Sequence, residues 1–75
     1  IFLQVGAFAD PANAQRVADR LQQARLAPVQ VTAVDVGGRA VHRVRLGPLR
    51  DAAQADAVSA RVVTMGLPRP RVAVN

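Results

Sequence analysis

The sequence lacks several residue types on which protein chemistry most often depends. Among its 75 residues there is no Cys, Trp, Tyr, Lys or Glu, and there are only one His, one Ser and two Phe. Without cysteine the chain forms no disulfide and has no thiol nucleophile. No apolar run approaches the roughly 20 residues that span a bilayer. These absences exclude a disulfide-stapled fold and thiol chemistry.

The residues that remain do not form a catalytic or metal-binding set. The five Asp fall at helix starts, on helices or beside a hairpin, so no two carboxylates converge for acid–base catalysis. The single histidine, His42, is predicted on the helix side of a strand, where a structural role fits better than catalysis. No metal-ligand spacing and no glycine-rich phosphate loop occur. The sequence predicts a binding module that is not an enzyme and has neither metal nor cofactor.

Arginine is what the chain has in quantity. All ten cations are Arg and all five anions are Asp, which gives a net charge of +5. This charge predicts attraction to anionic partners such as nucleic acid, acidic glycans or anionic lipid surfaces. The planar guanidinium also suits a carboxylate or a pair of hydroxyls better than an ammonium does.

The chain contains an internal repeat with an offset of 41 residues. Residues 6–14 align with residues 47–55 without a gap, and Val17, Arg20 and Leu26 recur as Val58, Arg61 and Leu67. Each copy reads as strand, glycine turn, aspartate cap, helix and strand. Two copies predict a single α+β domain over residues 1–75 with β-α-β-β-α-β order, a four-stranded antiparallel sheet and both helices on one face, as in ferredoxin-like folds. Because the sequence begins inside a strand, we expect it to be cut from a longer protein.

Capping residues and glycines locate the elements. Asp10 followed by Pro11 is a strong helix start, and Asp51 with Gln54 forms a variant capping box. The predicted elements are a strand over 1–5 ended by Gly6, a helix from Asp10, a strand over 29–35, a turn at Gly37–Gly38, a strand over 40–46, a helix from Asp51, and a strand over 71–74.

Alternation along the strands separates two faces of the sheet. The apolar face, to be covered by the helices, comprises Ile1, Leu3, Val5, Val29, Val31, Ala33, His42, Val44, Leu46, Val72 and Val74. The other face comprises Phe2, Gln4, Gln30, Thr32, Val34, Val41, Arg43, Arg45, Arg71 and Ala73. Because nothing covers this second face, it is the candidate site.

Three classes of binding partner fit this face, beside the possibility that its arginines only keep the sheet soluble. A carbohydrate fits because amides and guanidinium groups satisfy hydroxyls while apolar side chains pack on sugar C–H groups. RNA or single-stranded DNA fits the charge and architecture, but the third strand lacks the aromatic residues on which bases stack. A protein partner fits if it pairs with an exposed strand edge.

Two turn motifs resemble the SPOR (sporulation-related repeat) domain. They are Gln4-Val5-Gly6-Ala7-Phe8, followed by Asn13-Ala14, and Arg43-Val44-Arg45-Leu46-Gly47-Pro48-Leu49. The resemblance covers essentially all 75 residues and implies that they come from the C-terminal part of the longer protein. It implies a monomeric module that binds septal peptidoglycan, specifically glycan strands of N-acetylglucosamine and N-acetylmuramic acid that have lost their stem peptides, with no nucleic acid as partner. It implies a periplasmic or cell-envelope location enriched at the division septum. Any catalysis, a lytic transglycosylase activity in some members, would belong to a separate domain of the parent protein.

The resemblance also places family positions on this chain. The glutamine of the first strand falls on Gln4, a small residue that is often Ser falls on Ala7, and an arginine of the third strand falls on Arg43. A tryptophan of some members is replaced here by Val41, so an aromatic contact would come from Phe2. The predicted glycan-binding residues are Phe2, Gln4, Ala7, Asn13, Thr32, Val41, Arg43, Arg45 and Arg71.

Overall fold

The computed structural model of the chain describes residues 1–73. In chain order the elements are β1 (Phe2–Phe8), α1 (Pro11–Ala24), β2 (Val29–Val36), β3 (Arg39–Leu46), α2 (Ala52–Thr64) and β4 (Arg71–Ala73). The strands form an antiparallel sheet in the order β2-β3-β1-β4, with the equivalent strands of the two repeats at its centre. The predicted α+β architecture is confirmed, and the predicted place of Val74 lies outside the described residues.

Both helices begin at the predicted aspartates. A carboxylate oxygen of Asp10 accepts a hydrogen bond from the Ala12 backbone N–H at 2.9 Å. Asp51 likewise accepts from the Gln54 N–H at 2.8 Å, and Gln54 Oε1 accepts from the Arg50 N–H at 2.7 Å. These caps satisfy backbone donors that the first helical turn leaves without partners. They fix the residue at which each helix begins.

The core lies between the helices and one face of the sheet, here called the helix side. Leu3, Val44 and Leu46 from the central strands are fully buried against Leu21 of α1 and Val62 of α2. Most of the other buried helix positions are alanines, Ala14, Ala18 and Ala55, which let the helix backbones approach the sheet closely, and α2 adds Val58 and Ser59. The sheet therefore has one face packed on the core and one face, here called the open face, without a helix over it.

Strand β1 differs from its prediction because it does not end at Gly6. It continues to Phe8 through a β-bulge, in which the register passes from Gln4 opposite Arg45 to Gly6 opposite Val44. Val5 is the extra residue and is buried in the core. Gly6 leaves room for the Phe8 ring, because a Cβ at this position would lie 2.8 Å from it. The bulge keeps Val5 on the helix side. Each later residue of β1 then lies on the face opposite to the one that strict alternation from Leu3 predicts.

The two outer strands are less covered than the alternation predicts. Val31 is 42% exposed and Val72 is 64% exposed, although both share the helix side with the core residues opposite them. Ala33 is exposed as well. The expectation that these positions are buried is wrong: Val29 packs against the core, but the helices leave Val31, Ala33 and Val72 uncovered.

A side-chain hydrogen bond links the two helices. The guanidinium of Arg20 on α1 donates to the backbone carbonyl of Met65, just after α2, at 2.6 Å. This contact satisfies one of the carbonyls left unpaired at the helix end and places positive charge there. We expect Arg20→Ala to lower the free energy of unfolding by about 1 kcal/mol, measured by urea denaturation. Gln23→Ala, at an exposed position on the same helix, is the control, and an equal loss in both variants would contradict this role of Arg20.

Candidate functional site

A polar row crosses all four strands on the open face. The cross-strand pairs Gln30–Arg45, Arg45–Gln4 and Gln4–Arg71 place these four side chains in a line, alternating between carboxamide and guanidinium. With neighbouring strands about 4.8 Å apart, the row is about 14 Å long. Gln30 and Arg71 are exposed at its ends, while Gln4 and Arg45 are half-buried at its centre. We call this the first row.

A second row lies about 6.7 Å further along the strands. It consists of Thr32 on β2, Arg43 on β3 and Ala7 on β1, all of them exposed. Simple alternation from Leu3 would put Ala7 on the helix side, and the bulge at Val5 and Gly6 moves it to the open face. Arg43 therefore stands between two small side chains that leave its guanidinium accessible.

Arg45 is held by an aromatic contact. Its guanidinium carbon lies 4.3 Å from the centroid of the Phe2 ring, the geometry of a cation–π interaction. Phe2 in turn lies against Gly47, where a Cβ would come within 2.8 Å of the Phe2 ring and where φ is +141°. Glycine at position 47 thus gives Phe2 the space to sit beside Arg45. The contact forms a flat aromatic and cationic surface beside the centre of the first row.

The open face carries positive charge and no carboxylate among the described residues. The strand pairing places Arg39, Arg43, Arg45 and Arg71 on it. Of the aspartates, Asp35 pairs with Ala40 on the helix side and the others lie on the helices or cap them. The field of this face is therefore uniformly attractive to anions, which a net charge alone does not establish.

The remaining predicted site residues fall at the edges of this arrangement. Val41 and Val34 pair with each other and form a half-buried apolar patch on the open face, toward the hairpin end. Asn13 lies in the first turn of α1, in the helix layer, and its side-chain oxygen accepts a hydrogen bond from Arg16. No contact recorded for the described residues brings Asn13 to the two polar rows.

The polar rows form a surface rather than a pocket. One concavity, of about 380 Å³, is lined by Asp19, Gln22, Gln23 and Arg25 at the end of α1. Another, of about 420 Å³, is lined by Ala33, Val34, Asp35, Gly38 and Ala40 at the hairpin. Neither takes in a residue of the first or second row. A long ligand lying across the strands suits such a surface better than a small enclosed molecule.

Residues 1–73 offer neither a metal site nor a membrane-spanning helix. No group of three or more His, Asp or Glu side chains is placed to hold a metal ion there. No helix in this part of the chain is long and apolar enough to cross a membrane. His42 is half-buried on the helix side, opposite Phe8 and Ala33, as its position in β3 predicts.

Alternation along the strands places every member of the two rows except Ala7 on the open face, but it does not single out Gln30. Gln30 is the outer member of the first row, next to Arg45, and it belongs with the other candidate residues. The signal was present in the sequence, because Gln30 and Thr32 share one face of β2. Only the register of β2 against β3 shows that Gln30 continues the line through Arg45 and Gln4.

The fold and the open face together define a small binding module with an exposed, arginine-bearing sheet. A family model for the SPOR domain matches residues 1–68. Two curated relatives, the endolytic peptidoglycan transglycosylase RlpA from two strains of Pseudomonas aeruginosa, are 39% identical over 70 residues. The match covers 91% of this chain and 20% of each relative, so the chain spans about a fifth of the length of the curated relatives it matches. The crystal structure of the RlpA SPOR domain from P. aeruginosa has a TM-score of 0.93 at 32% identity, covering 99% of this chain and 97% of that one.

The chain belongs to the SPOR domain family. Within the family, its arginine-only and alanine-rich composition indicates a similarity to rare lipoprotein A, RlpA, and this prediction is confirmed by the same matches. As a SPOR domain the chain is a peptidoglycan-binding module of the kind that localises proteins for cell division, and not an enzyme.

Proposed function

We propose that this SPOR domain recognises glycan strands that have lost their stem peptides, and that it does so through the open face. In this proposal it brings its parent protein, in the periplasm, to the division septum, where amidases leave such strands. The ligand lies across the first and second rows. The observation that supports the proposal most strongly is the segregation of charge, with four arginines on the open face and the aspartates of residues 1–73 elsewhere.

The ligand carries the charge that this face requires. Removal of a stem peptide by an amidase frees the lactyl carboxylate of N-acetylmuramic acid, so an anion replaces an amide. Arg43 is the residue best placed to pair with that carboxylate, because its neighbours Thr32 and Ala7 are small and the side chain is exposed. Arg71, exposed at the end of the first row, is the second candidate. A charge-assisted bond of this kind is stronger than a neutral one.

The other members of the rows bind the uncharged parts of the strand. Gln4 and Gln30 offer carboxamides to hydroxyl and acetamido groups on either side of Arg45. Phe2 and Arg45, stacked on each other, present a flat surface on which the apolar face of a sugar ring packs. Val41 adds apolar contact beyond the second row. Asn13 is the outlying member of the proposed set, since its carboxamide oxygen is engaged by Arg16.

Selectivity follows from charge and from bulk together. A retained stem peptide removes the lactyl charge and adds a large substituent against a flat sheet, which penalises the undenuded strand. Affinity is expected in the ~micromolar range, because the surface is shallow and polar. A monomer in dilute solution is sufficient for this binding.

The test is sedimentation of the domain with two sacculus preparations, one intact and one treated with an amidase. We expect binding to increase with amidase treatment. Gln4→Ala should weaken binding to the treated preparation about 2- to 10-fold, because it removes a central carboxamide of the first row. Gln23→Ala, on the exposed side of α1, is the matched control and should bind as the unmodified domain does. Equal binding to both preparations, lost at moderate salt, would contradict the proposal and favour a general polyanion partner, which single-stranded RNA would then test.

A further inference from the structure

The outer edge of β2 is a long row of backbone groups that the sheet does not use. Pro28 accepts a hydrogen bond from the Gly47 N–H at 2.9 Å, and β2 and β3 are joined by a two-residue turn with positive φ at Gly37 and Gly38. Along an antiparallel pair, hydrogen-bonded and non-hydrogen-bonded residue pairs alternate. Counting from Pro28, the residues of β2 that bond to β3 are the even-numbered ones. The backbone N–H and C=O groups of Val29, Val31, Ala33 and Asp35 therefore point away from the sheet.

This edge has little of what normally protects an edge strand. Over residues 29–36, β2 contains no proline, no cationic side chain and no bulge, and its only charge is Asp35. Val31 is 42% exposed and its neighbours Gln30, Thr32 and Ala33 are exposed too. The opposite edge is different, because β4 follows Pro68 and Pro70 and begins with the cationic side chain of Arg71. Unprotected edges of this length are sites of strand addition.

We propose that this edge pairs with the same edge of a second copy of the chain, antiparallel and centred on Thr32. In that register Val29 lies opposite Asp35 and Val31 lies opposite Ala33, and the two-fold axis repeats both pairs. The outward-pointing backbone N–H and C=O groups of all four residues in each strand can then form hydrogen bonds with those of the other strand. A shift by one residue would set outward groups against inward ones, and a longer shift would leave some without partners.

The side chains of β2 are compatible with this self-pairing. No charge faces a like charge, since Asp35 of each copy lies opposite Val29 of the other. Thr32 faces Thr32 of the second copy, a favourable cross-strand pair. Val31, exposed in the single chain, is covered by Ala33 of the second copy. A two-fold interface needs such a self-complementary surface.

The pairing would join the two open faces into one. A two-fold axis normal to the sheet keeps both open faces on the same side, so the second rows of the two copies would join at Thr32, with an Arg43 and then an Ala7 on either side. The interface is small, and each copy carries a net charge of +5, so the dimer is weak. It is consistent with a chain that is monomeric in dilute solution. Binding of two copies side by side on one polyanion would favour the dimer, because it brings the two β2 edges together.

A single cysteine tests the register, because the chain has none of its own. Thr32 and its counterpart form a non-hydrogen-bonded pair with Cα atoms about 4.5 Å apart, within the range that a disulfide bridges. Gln30→Cys is the matched control, since residue 30 lies opposite residue 34 and its own counterpart is about 13 Å away along the strand. We expect Thr32→Cys to form disulfide dimers at least tenfold faster than Gln30→Cys at high protein concentration without any ligand. Equal rates would overturn the proposal.

A second variant separates edge pairing from general collision. Val31→Pro removes an N–H that points away from the sheet, so the bonds between β2 and β3 are kept. In the Thr32→Cys background it should slow dimer formation to the rate of the Gln30→Cys control, with the fold checked by circular dichroism. If Val31→Pro folds and does not slow the reaction, the edge is not the interface. Salt distinguishes this proposal from glycan binding, because screening should speed dimer formation between like-charged copies and weaken binding to an anionic glycan.

Discussion

We expect Leu46→Ala to lower the free energy of unfolding by about 3 kcal/mol, since it removes a fully buried side chain from the middle of the helix side. Leu46 pairs with Leu3 on β1 and with Val29 on β2, so its loss opens a cavity between three strands. The surrounding core consists largely of valine and alanine, which are too short to fill it. The total free energy of unfolding of a domain of this size is about 4–11 kcal/mol, so the variant loses a large part of its stability.

Urea denaturation followed by far-ultraviolet circular dichroism measures this change, because the chain has no Trp or Tyr to report by fluorescence. Val36→Ala is the control. Val36 is also an apolar strand residue, but it is 54% exposed, and its truncation should change the stability by less than about 0.5 kcal/mol. A similar small effect at Leu46 would mean that the core relaxes around the missing side chain.

The central part of the fold was predictable because the sequence contains an internal repeat, in which each copy carries the same local signals. The aspartate caps, the glycine turns and the alternation in β3 are local signals, and the structure has Asp10, Asp51 and the hairpin where those signals put them. The family resemblance adds to them independently. It placed Ala7 in the site, whereas alternation alone gives Ala7 the opposite face.

What the sequence did not predict depends on contacts between distant segments. The bulge at Val5 is visible only when β1 is set against β3, since an extra residue has no local signature there. The exposure of Val31 and Val72 depends on how far the helices reach over the sheet, which apolar spacing does not encode. For the same reason Gln30 was placed on the correct face without being recognised as part of the first row.

Arg43→Ala should weaken binding to amidase-treated glycan strands about 10- to 100-fold, the effect expected from the loss of one charge-assisted hydrogen bond. Arg43 is exposed in the second row, and the small side chains of Thr32 and Ala7 cannot take over its role. Arg45 is a poorer substitute, since its guanidinium already lies on the Phe2 ring. Arg43→Lys should recover only part of the affinity, because an ammonium cannot hold a carboxylate with two parallel bonds.

Arg61→Ala is the matched control for the change in charge. Arg61 is exposed on α2, in the layer opposite the open face, and its removal alters the net charge by the same amount. Affinities are compared by titration against purified naked strands at two salt concentrations. If the pairing at Arg43 is direct, Arg43→Ala loses affinity and has a smaller salt dependence, while Arg61→Ala changes neither appreciably. If the two variants lose affinity equally, the positive charge of the whole domain, and not the arginine of the open face, accounts for the binding.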